Sequence, residues 1–213
     1  LRDFRNTKGI LLMNLNEYHQ NINTLLGNVK NVNGDIIELG VYKGQNTYII
    51  GDFIRDANLT KRYIGFDTFE GYTEQDILAS KNPTGLLENQ NSGRWNISKT
   101  LVTDEINNRQ LNNHCQIVVG DIKNTIHDYI NQVDKDYKIS MLYIDCNAYL
   151  PAITALQACQ KYLSVGSLIV VDEHTIGGET QAFDEFCSTN KVKICSTGWK
   201  YPNGPRLYGV LLE

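Results

Sequence analysis

Five apolar runs in this chain each end on an acid: Asp35-Ile-Ile-Glu38, Tyr63-Ile-Gly-Phe-Asp67, Ile117-Val-Val-Gly-Asp121, Met141-Leu-Tyr-Ile-Asp145 and Leu168-Ile-Val-Val-Asp172-Glu173. Carboxylates gathered this way suit ribose hydroxyls, a cationic ligand or a hard metal ion. The sharpest set is Asp145 with Asp172 and Glu173. On neighbouring strands, about 4.8 Å apart, these side chains converge on one point. Like charges that close repel, and one must take up a proton unless a cation intervenes. An all-oxygen set suits Mg²⁺, with Mn²⁺ and Ca²⁺ as alternatives. The competing role for Asp172 and Glu173 is to cap the following helix. It is weaker for Asp145, because Pro151 sets the next helix some residues away.

The first run leads into Glu38-Leu-Gly40-Val-Tyr42-Lys-Gly44-Gln-Asn46-Thr47. Glycines at a strand-to-helix turn admit close backbone approach to a ligand, and the helix amino terminus offers free N–H groups. The Gly-x-x-x-Gly spacing departs from the dinucleotide fingerprint Gly-x-Gly-x-x-Gly, and a tight structural turn explains it equally well. Asp67 closes the second run, where an acid commonly accepts ribose hydroxyls, with helix capping as its other role. Asp121, after Gly120, either reaches an adenine edge or caps the helix that follows Ile122.

Short Ile/Val-rich runs separated by helix-length segments are buried strands of a parallel sheet, whose carboxyl ends share one rim. Ligands bind in the crevice outside that rim. Helices are expected near 46–56, 97–107, 124–132, 151–162 and 179–188, and strands near 63–66, 116–119, 139–144 and 167–171. Residues 191–196 and 207–212 form a closing hairpin, for seven strands in all with the last antiparallel. Residues 72–94 carry Asn82-Pro-Thr-Gly85 and Asn91-Ser-Gly93 and are expected to be an irregular lid or binding loop. Apolar positions from Ile10 to Leu26 are loosely helical, which makes residues 1–33 a helical cap before a single domain over 34–213 with a lid at about 72–95.

The chain has 213 residues, enough for one α/β domain with a sizeable core. Its net charge of -4 argues against a nucleic-acid partner. No run approaches the roughly 18 apolar residues of a membrane span, so no membrane partner is expected. Cys115, Cys146, Cys159, Cys187 and Cys195 lack a Cys-x-x-Cys spacing and fit reduced thiols in a cytoplasmic enzyme.

Four motifs in order, Glu38-Leu-Gly-Val-Tyr-Lys-Gly44, Phe66-Asp-Thr-Phe-Glu-Gly71, Ile144-Asp-Cys-Asn-Ala-Tyr-Leu-Pro151 and Val170-Val-Asp-Glu173, resemble the macrocin O-methyltransferase family. Those enzymes methylate sugar hydroxyls with S-adenosylmethionine and Mg²⁺. The resemblance spans about Gly34 to Phe186, and Asp67-Thr-Phe-Glu-Gly71 is its most specific part. It implies a class I methyltransferase fold: a Rossmann-like α/β seven-stranded sheet, mostly parallel, with helices on both faces. It further implies that Glu38, Gly40, Tyr42, Asn46 and Thr47 surround the methionine end of the cofactor. Asp67 and Thr68 would hold the ribose, Gly120, Asp121 and Ile122 would frame the adenine, and Asp145, Asp172 and Glu173 would hold Mg²⁺ or Mn²⁺. The acceptor would be a small molecule containing a sugar. Where Glu173 stands the family usually has Asp, one methylene shorter.

The family pattern after the fourth strand is Asp-x-Asp, with the second Asp as general base. Here that position is Asn147, and an amide cannot take a proton at neutral pH. Either the metal-bound hydroxyl ionises without a dedicated base, or His174 takes the role, or the chain is a non-catalytic cofactor-binding homologue or acts on another acceptor. A dehydrogenase and a non-heme iron hydroxylase of related fold are the rival enzyme classes. Trp95 with Arg94, Tyr149, Trp199 and Tyr201 are candidates for the acceptor pocket or for plain packing. His19, His114 and His127 are isolated. The amino-terminal helices are candidates for covering the cofactor or for a homo-oligomer contact.

Overall fold

The computed structural model describes residues 15–80, 83–93, 96–172, 178–199 and 204–212. Helix α1 (Leu15–Val29) precedes β1 (Asp35–Leu39), α2 (Gln45–Asp56), β2 (Tyr63–Asp67), α3 (Glu74–Ala79), α4 (Pro83–Asn91) and α5 (Lys99–Asn108). Then come β3 (Cys115–Val119), α6 (Ile122–Ile130), β4 (Ile139–Ile144), α7 (Tyr149–Cys159), β5 (Leu163–Val171), α8 (Glu179–Thr189), β6 (Val192–Ser196) and β7 (Leu207–Leu211).

The strands form one seven-stranded sheet in the order β3-β2-β1-β4-β5-β7-β6. All neighbours are parallel from β3 to β5, and β7 runs antiparallel to both β5 and β6. The strand order reverses at β1 and β4, and that switch point is where an open α/β sheet opens its ligand crevice. Both strands are buried along their whole length, because helices cover each face of the sheet.

Alternation along the strands sorts the core into two layers. Leu39, Ile144 and Val171 pack with Ile126 of α6, Leu156 of α7 and Phe183 of α8. Ile36, Tyr143 and Val170 pack on the other face with Ile22 of α1, Ile50 of α2 and Ile106 of α5. Helix α1 buries Tyr18, Ile22, Leu25, Leu26 and Val29. That spacing keeps a single stripe against the sheet, and each fully buried aliphatic side chain there contributes about 1.5–3 kcal/mol.

Two expectations need correction. The described residues within 72–94 are not an irregular loop: they carry α3 and α4. Thr73 caps α3 through a reciprocal capping box with Asp76, and Pro83 takes the first position of α4, where its missing N–H costs nothing. Strand β5 starts at Leu163, earlier than expected. Gly166 lies inside it at φ 84, and the pairing of β4 with β5 shifts register between Ile139 and Met141. The glycine interrupts the apolar run that otherwise marks a buried strand.

Candidate functional site

The residues just past the strand ends continue the ladder. Gly40 N–H donates to the Phe66 carbonyl at 2.8 Å, Asp145 N–H to Leu39 at 2.9 Å, and Asp172 N–H to Ile144 at 3.0 Å. Gly40, Asp145 and Asp172 therefore stand side by side on one rim, at the switch point. Gly40 has φ 93, and a Cβ there would run into the carbonyl oxygen of Asp145; only glycine lets β1 and β4 close together at this level.

Asp145 and Asp172 each follow by two residues a side chain on the α1/α2 face, Tyr143 and Val170. Tyr143 is fully buried, and its hydroxyl donates to Asp172 Oδ1 at 2.7 Å. Burial, then the negative charge of Asp172, pushes the Tyr143 phenol well above its ordinary value, so it keeps its proton as a donor. Among the described residues no group of three or more acidic, His or Cys side chains forms a metal cluster. Asp145 and Asp172 are two members of the expected set; Glu173 and His174 lie outside the described residues.

Beneath the rim lies a buried polar network. Glu38 is 1% exposed; Asn46 Nδ2 donates to its Oε1 at 2.7 Å, and the Tyr63 hydroxyl donates to its Oε2. Burial raises the Glu38 carboxyl to about 8, against those two hydrogen bonds, which lower it. Thr47 is fully buried, with its hydroxyl 2.8 Å from that of Tyr63. The Tyr18 hydroxyl, from α1, donates to Asn46 Oδ1 at 2.7 Å. Glu38, Asn46 and Thr47 thus belong to one buried network that joins β1 to α2, the two elements flanking the Gly40–Gly44 turn. Tyr42 and Gly44 bend the turn itself, at φ 52 and 80.

Asp67 Oδ2 accepts from the backbone N–H groups of Val41 and Tyr42 at 2.7 and 2.8 Å, and Oδ1 from Phe69 at 2.7 Å. Its carboxylate clamps the first turn from the neighbouring strand. Thr68 Oγ1 donates to the Gly71 carbonyl at 2.9 Å, fixing the loop after β2. Asp121 caps α6, accepting from Lys123 N–H at 3.0 Å, so the capping role is present. Gly120 lies at φ 137 and Ile122 opens α6. Lys123 Nζ lies 3.1 Å from Asp121 Oδ2 and 2.7 Å from Asp76 Oδ1, which ties α3 to this rim.

After β4, Asn147 adopts φ 56. Its N–H donates to Glu179 Oε2 at 2.7 Å and its carbonyl accepts the Gly178 N–H at 2.8 Å. A Cβ on Gly178 would run into the backbone of Tyr149. Tyr42, Phe69 and Asn147, on the loops after β1, β2 and β4, all have positive φ. Such conformations cost about 1–3 kcal/mol each and cluster at functional sites.

Tyr18, Tyr63, Tyr143, Lys123 and Glu179 are absent from the residues singled out by sequence. Tyr143 carried a usable signal, since it precedes Asp145 by two on a strand and shares its face. Glu179 stood only as a helix start. Among the remaining candidates, Tyr149 donates to Glu185 Oε2 at 2.9 Å and packs on the core, and Trp199 packs against the α1 side. His19 and His127 are exposed and His114 is half-buried. Arg94, Trp95 and Tyr201 lie outside the described residues.

A sheet of this order with one reversed strand and a crevice between β1 and β4 defines the class I methyltransferase fold. Residues 12–196 match the family model described as macrocin-O-methyltransferase (TylF), and the chain belongs to that family. It is an S-adenosylmethionine-dependent O-methyltransferase of a sugar-methylating family. No curated protein matches the sequence. The fold is similar to that of the calicheamicin methyltransferase CalS11, with TM-score 0.75 and 21% identity, over 90% of this chain and 77% of that one. The O-methyltransferase NovP gives TM-score 0.72 at 19% identity over 93% of this chain and 79% of its own. Fibrillarin from Aeropyrum pernix, solved with natively bound S-adenosyl-L-methionine, gives 0.54 at 14% over 92% and 76%. Among the described residues no helix is long and apolar enough to cross a membrane.

Proposed function

We propose that this enzyme methylates a hydroxyl of a sugar or sugar-containing small molecule, and that Asp145, Asp172 and Glu173 hold the Mg²⁺ or Mn²⁺ the reaction uses. The observation that carries this is the pairing of Asp145 with Asp172 on adjacent strand ends at the switch point. The donor set fits a hard cation, because it is all oxygen and has no thiol or imidazole among its described members. A bound divalent cation supplies a Lewis acid that lowers the pKa of an acceptor hydroxyl.

The chain's own residues do the positioning. The Gly40–Gly44 turn and the amino end of α2 receive the methionine end of the cofactor, with Glu38, Asn46 and Thr47 bracing them. Asp67 and Thr68 meet the ribose, and Gly120, Asp121 and Ile122 frame the adenine. Holding the acceptor oxygen in line with the sulfonium methyl provides most of the acceleration. Asn147 donates or accepts a hydrogen bond to the acceptor but takes no proton. The acceptor proton leaves to solvent or to His174, and a pH–rate profile separates the two. A limb near pH 6.5 that disappears in His174→Ala identifies the histidine as base; turnover equal to wild type at every pH removes it.

One CalS11 structure is described as a TDP-rhamnose 3'-O-methyltransferase, so nucleotide-linked deoxysugars head the acceptor panel. The test is mass spectrometry of that panel after incubation with S-adenosylmethionine, with Mg²⁺ or with chelator. A product heavier by one methylene, formed with Mg²⁺ and absent with chelator, is expected; a product formed equally well in chelator overturns the metal assignment.

A further inference from the structure

We propose that Tyr143 is a positioning residue for Asp172, and that Tyr18 of helix α1 braces the cofactor turn through Asn46, so that α1 is part of the catalytic apparatus. The first half rests on the assignment of Asp172 as a cation ligand.

Tyr143 is fully buried on the central strand β4, and its single hydroxyl proton goes to Asp172 Oδ1 at 2.7 Å. That bond fixes the orientation of a carboxylate on the rim. The Tyr18 hydroxyl lies 3.5 Å from that of Tyr143, but its own proton goes to Asn46 Oδ1 at 2.7 Å. Asn46 in turn donates to Glu38 Oε1 at 2.7 Å. Two half-chains therefore run outward from the pair of tyrosine oxygens, one ending on Asp172 and the other on Glu38. The contact between the two hydroxyls is long and an amide interrupts one arm, so the network positions its acids rather than relaying protons. It holds two acids, one under the cofactor turn and one on the rim, in fixed relation. A group that orients a metal ligand from behind typically governs 10- to 100-fold in metal affinity.

The test is Mn²⁺ binding followed by the loss of the free-ion paramagnetic resonance signal, with calorimetry of S-adenosylhomocysteine on the same samples. Tyr143→Phe is expected to weaken Mn²⁺ binding about 10- to 100-fold, with cofactor-product affinity within about twofold of wild type. Tyr18→Phe is expected to weaken S-adenosylhomocysteine and to leave Mn²⁺ affinity nearly unchanged. Should Tyr143→Phe fail to fold, the double variant Tyr18→Phe/Tyr143→Phe, which strands neither hydroxyl against the other, carries the same expectation for Mn²⁺. Wild-type Mn²⁺ affinity in the folded Tyr143→Phe or double variant, while Asp172→Asn loses it, overturns the positioning role alone. No Mn²⁺ binding by wild type, or full binding by Asp172→Asn, overturns the cation assignment itself. Unchanged S-adenosylhomocysteine affinity in Tyr18→Phe overturns the role of α1.

Discussion

Asp67 holds Tyr42 by side chain to backbone: Oδ2 of the acid accepts the Tyr42 N–H at 2.8 Å, alongside that of Val41 at 2.7 Å. The end of β2 thus sets the shape of the turn after β1. Asp67→Asn swaps one acceptor oxygen for a donor facing backbone N–H groups, so at least one of these bonds is lost. The expected cost is about 1–3 kcal/mol of stability, read from urea unfolding, together with weaker S-adenosylhomocysteine binding by calorimetry. Wild-type values for both would show that the clamp is dispensable.

Gly40→Ala tests the closeness of β1 and β4. Its φ of 93 and the Asp145 carbonyl in the path of a Cβ both oppose the change. Strain and overpacking together amount to roughly 2–6 kcal/mol. A marked drop in melting temperature, or loss of folded protein, is expected. A variant that melts with wild type would mean that the turn relaxes freely.

Glu38 gives a pH signature. Burial raises its carboxyl to about 8 in the folded chain, from an ordinary value of 4.5. Between those values the folded state holds a proton that the unfolded state has lost. Its contribution to stability is therefore complete below about pH 4.5 and declines as pH rises to about 8. Urea midpoints measured from pH 5 to 8.5 are expected to fall more steeply for wild type than for Glu38→Gln. Parallel slopes would place the Glu38 titration elsewhere.

Lys123 ties α3 to the start of α6 through Asp76 and Asp121. Lys123→Met leaves Asp76, which is 5% exposed, without its ion pair. Breaking a buried pair from one side costs about 3–5 kcal/mol at most, and the loss falls on the α3–α4 segment. Faster proteolytic cleavage within residues 74–91 is expected, by mass spectrometry of the fragments. Cleavage at the wild-type rate would show that α3 and α4 are held by other contacts.

Much of this architecture is legible in the sequence, for a physical reason. Strands buried on both faces must be apolar throughout, so the runs ending at Glu38, Asp67, Asp145 and Asp172 stand out; Asp67, Asp145 and Asp172 fall on the rim, whereas Glu38 is buried beneath it. The helices α3 and α4 were hidden because Asn82-Pro83 and Gly85 read as breakers, although Thr73 with Asp76 spells a capping box and Pro83 suits a helix start. Gly166 likewise concealed the first part of β5. The supporting network was the least visible. Periodicity marks Tyr18 and Tyr143 as inward-facing but cannot show that two hydroxyls from elements 125 residues apart meet. Asn147 stood out as a departure from the family pattern. Its left-handed backbone, held by Glu179 and Gly178, emerged only in three dimensions.

The proposed function requires Asp145 and Asp172 to share one cation beside the crevice between β1 and β4. Anomalous diffraction from a crystal grown with S-adenosylhomocysteine and Mn²⁺ tests it most directly. A single manganese peak touching both carboxylates, with the cofactor sulfur above the Gly40–Gly44 turn, is the result expected. Bound S-adenosylhomocysteine with manganese elsewhere or nowhere, at saturating Mn²⁺, would contradict it.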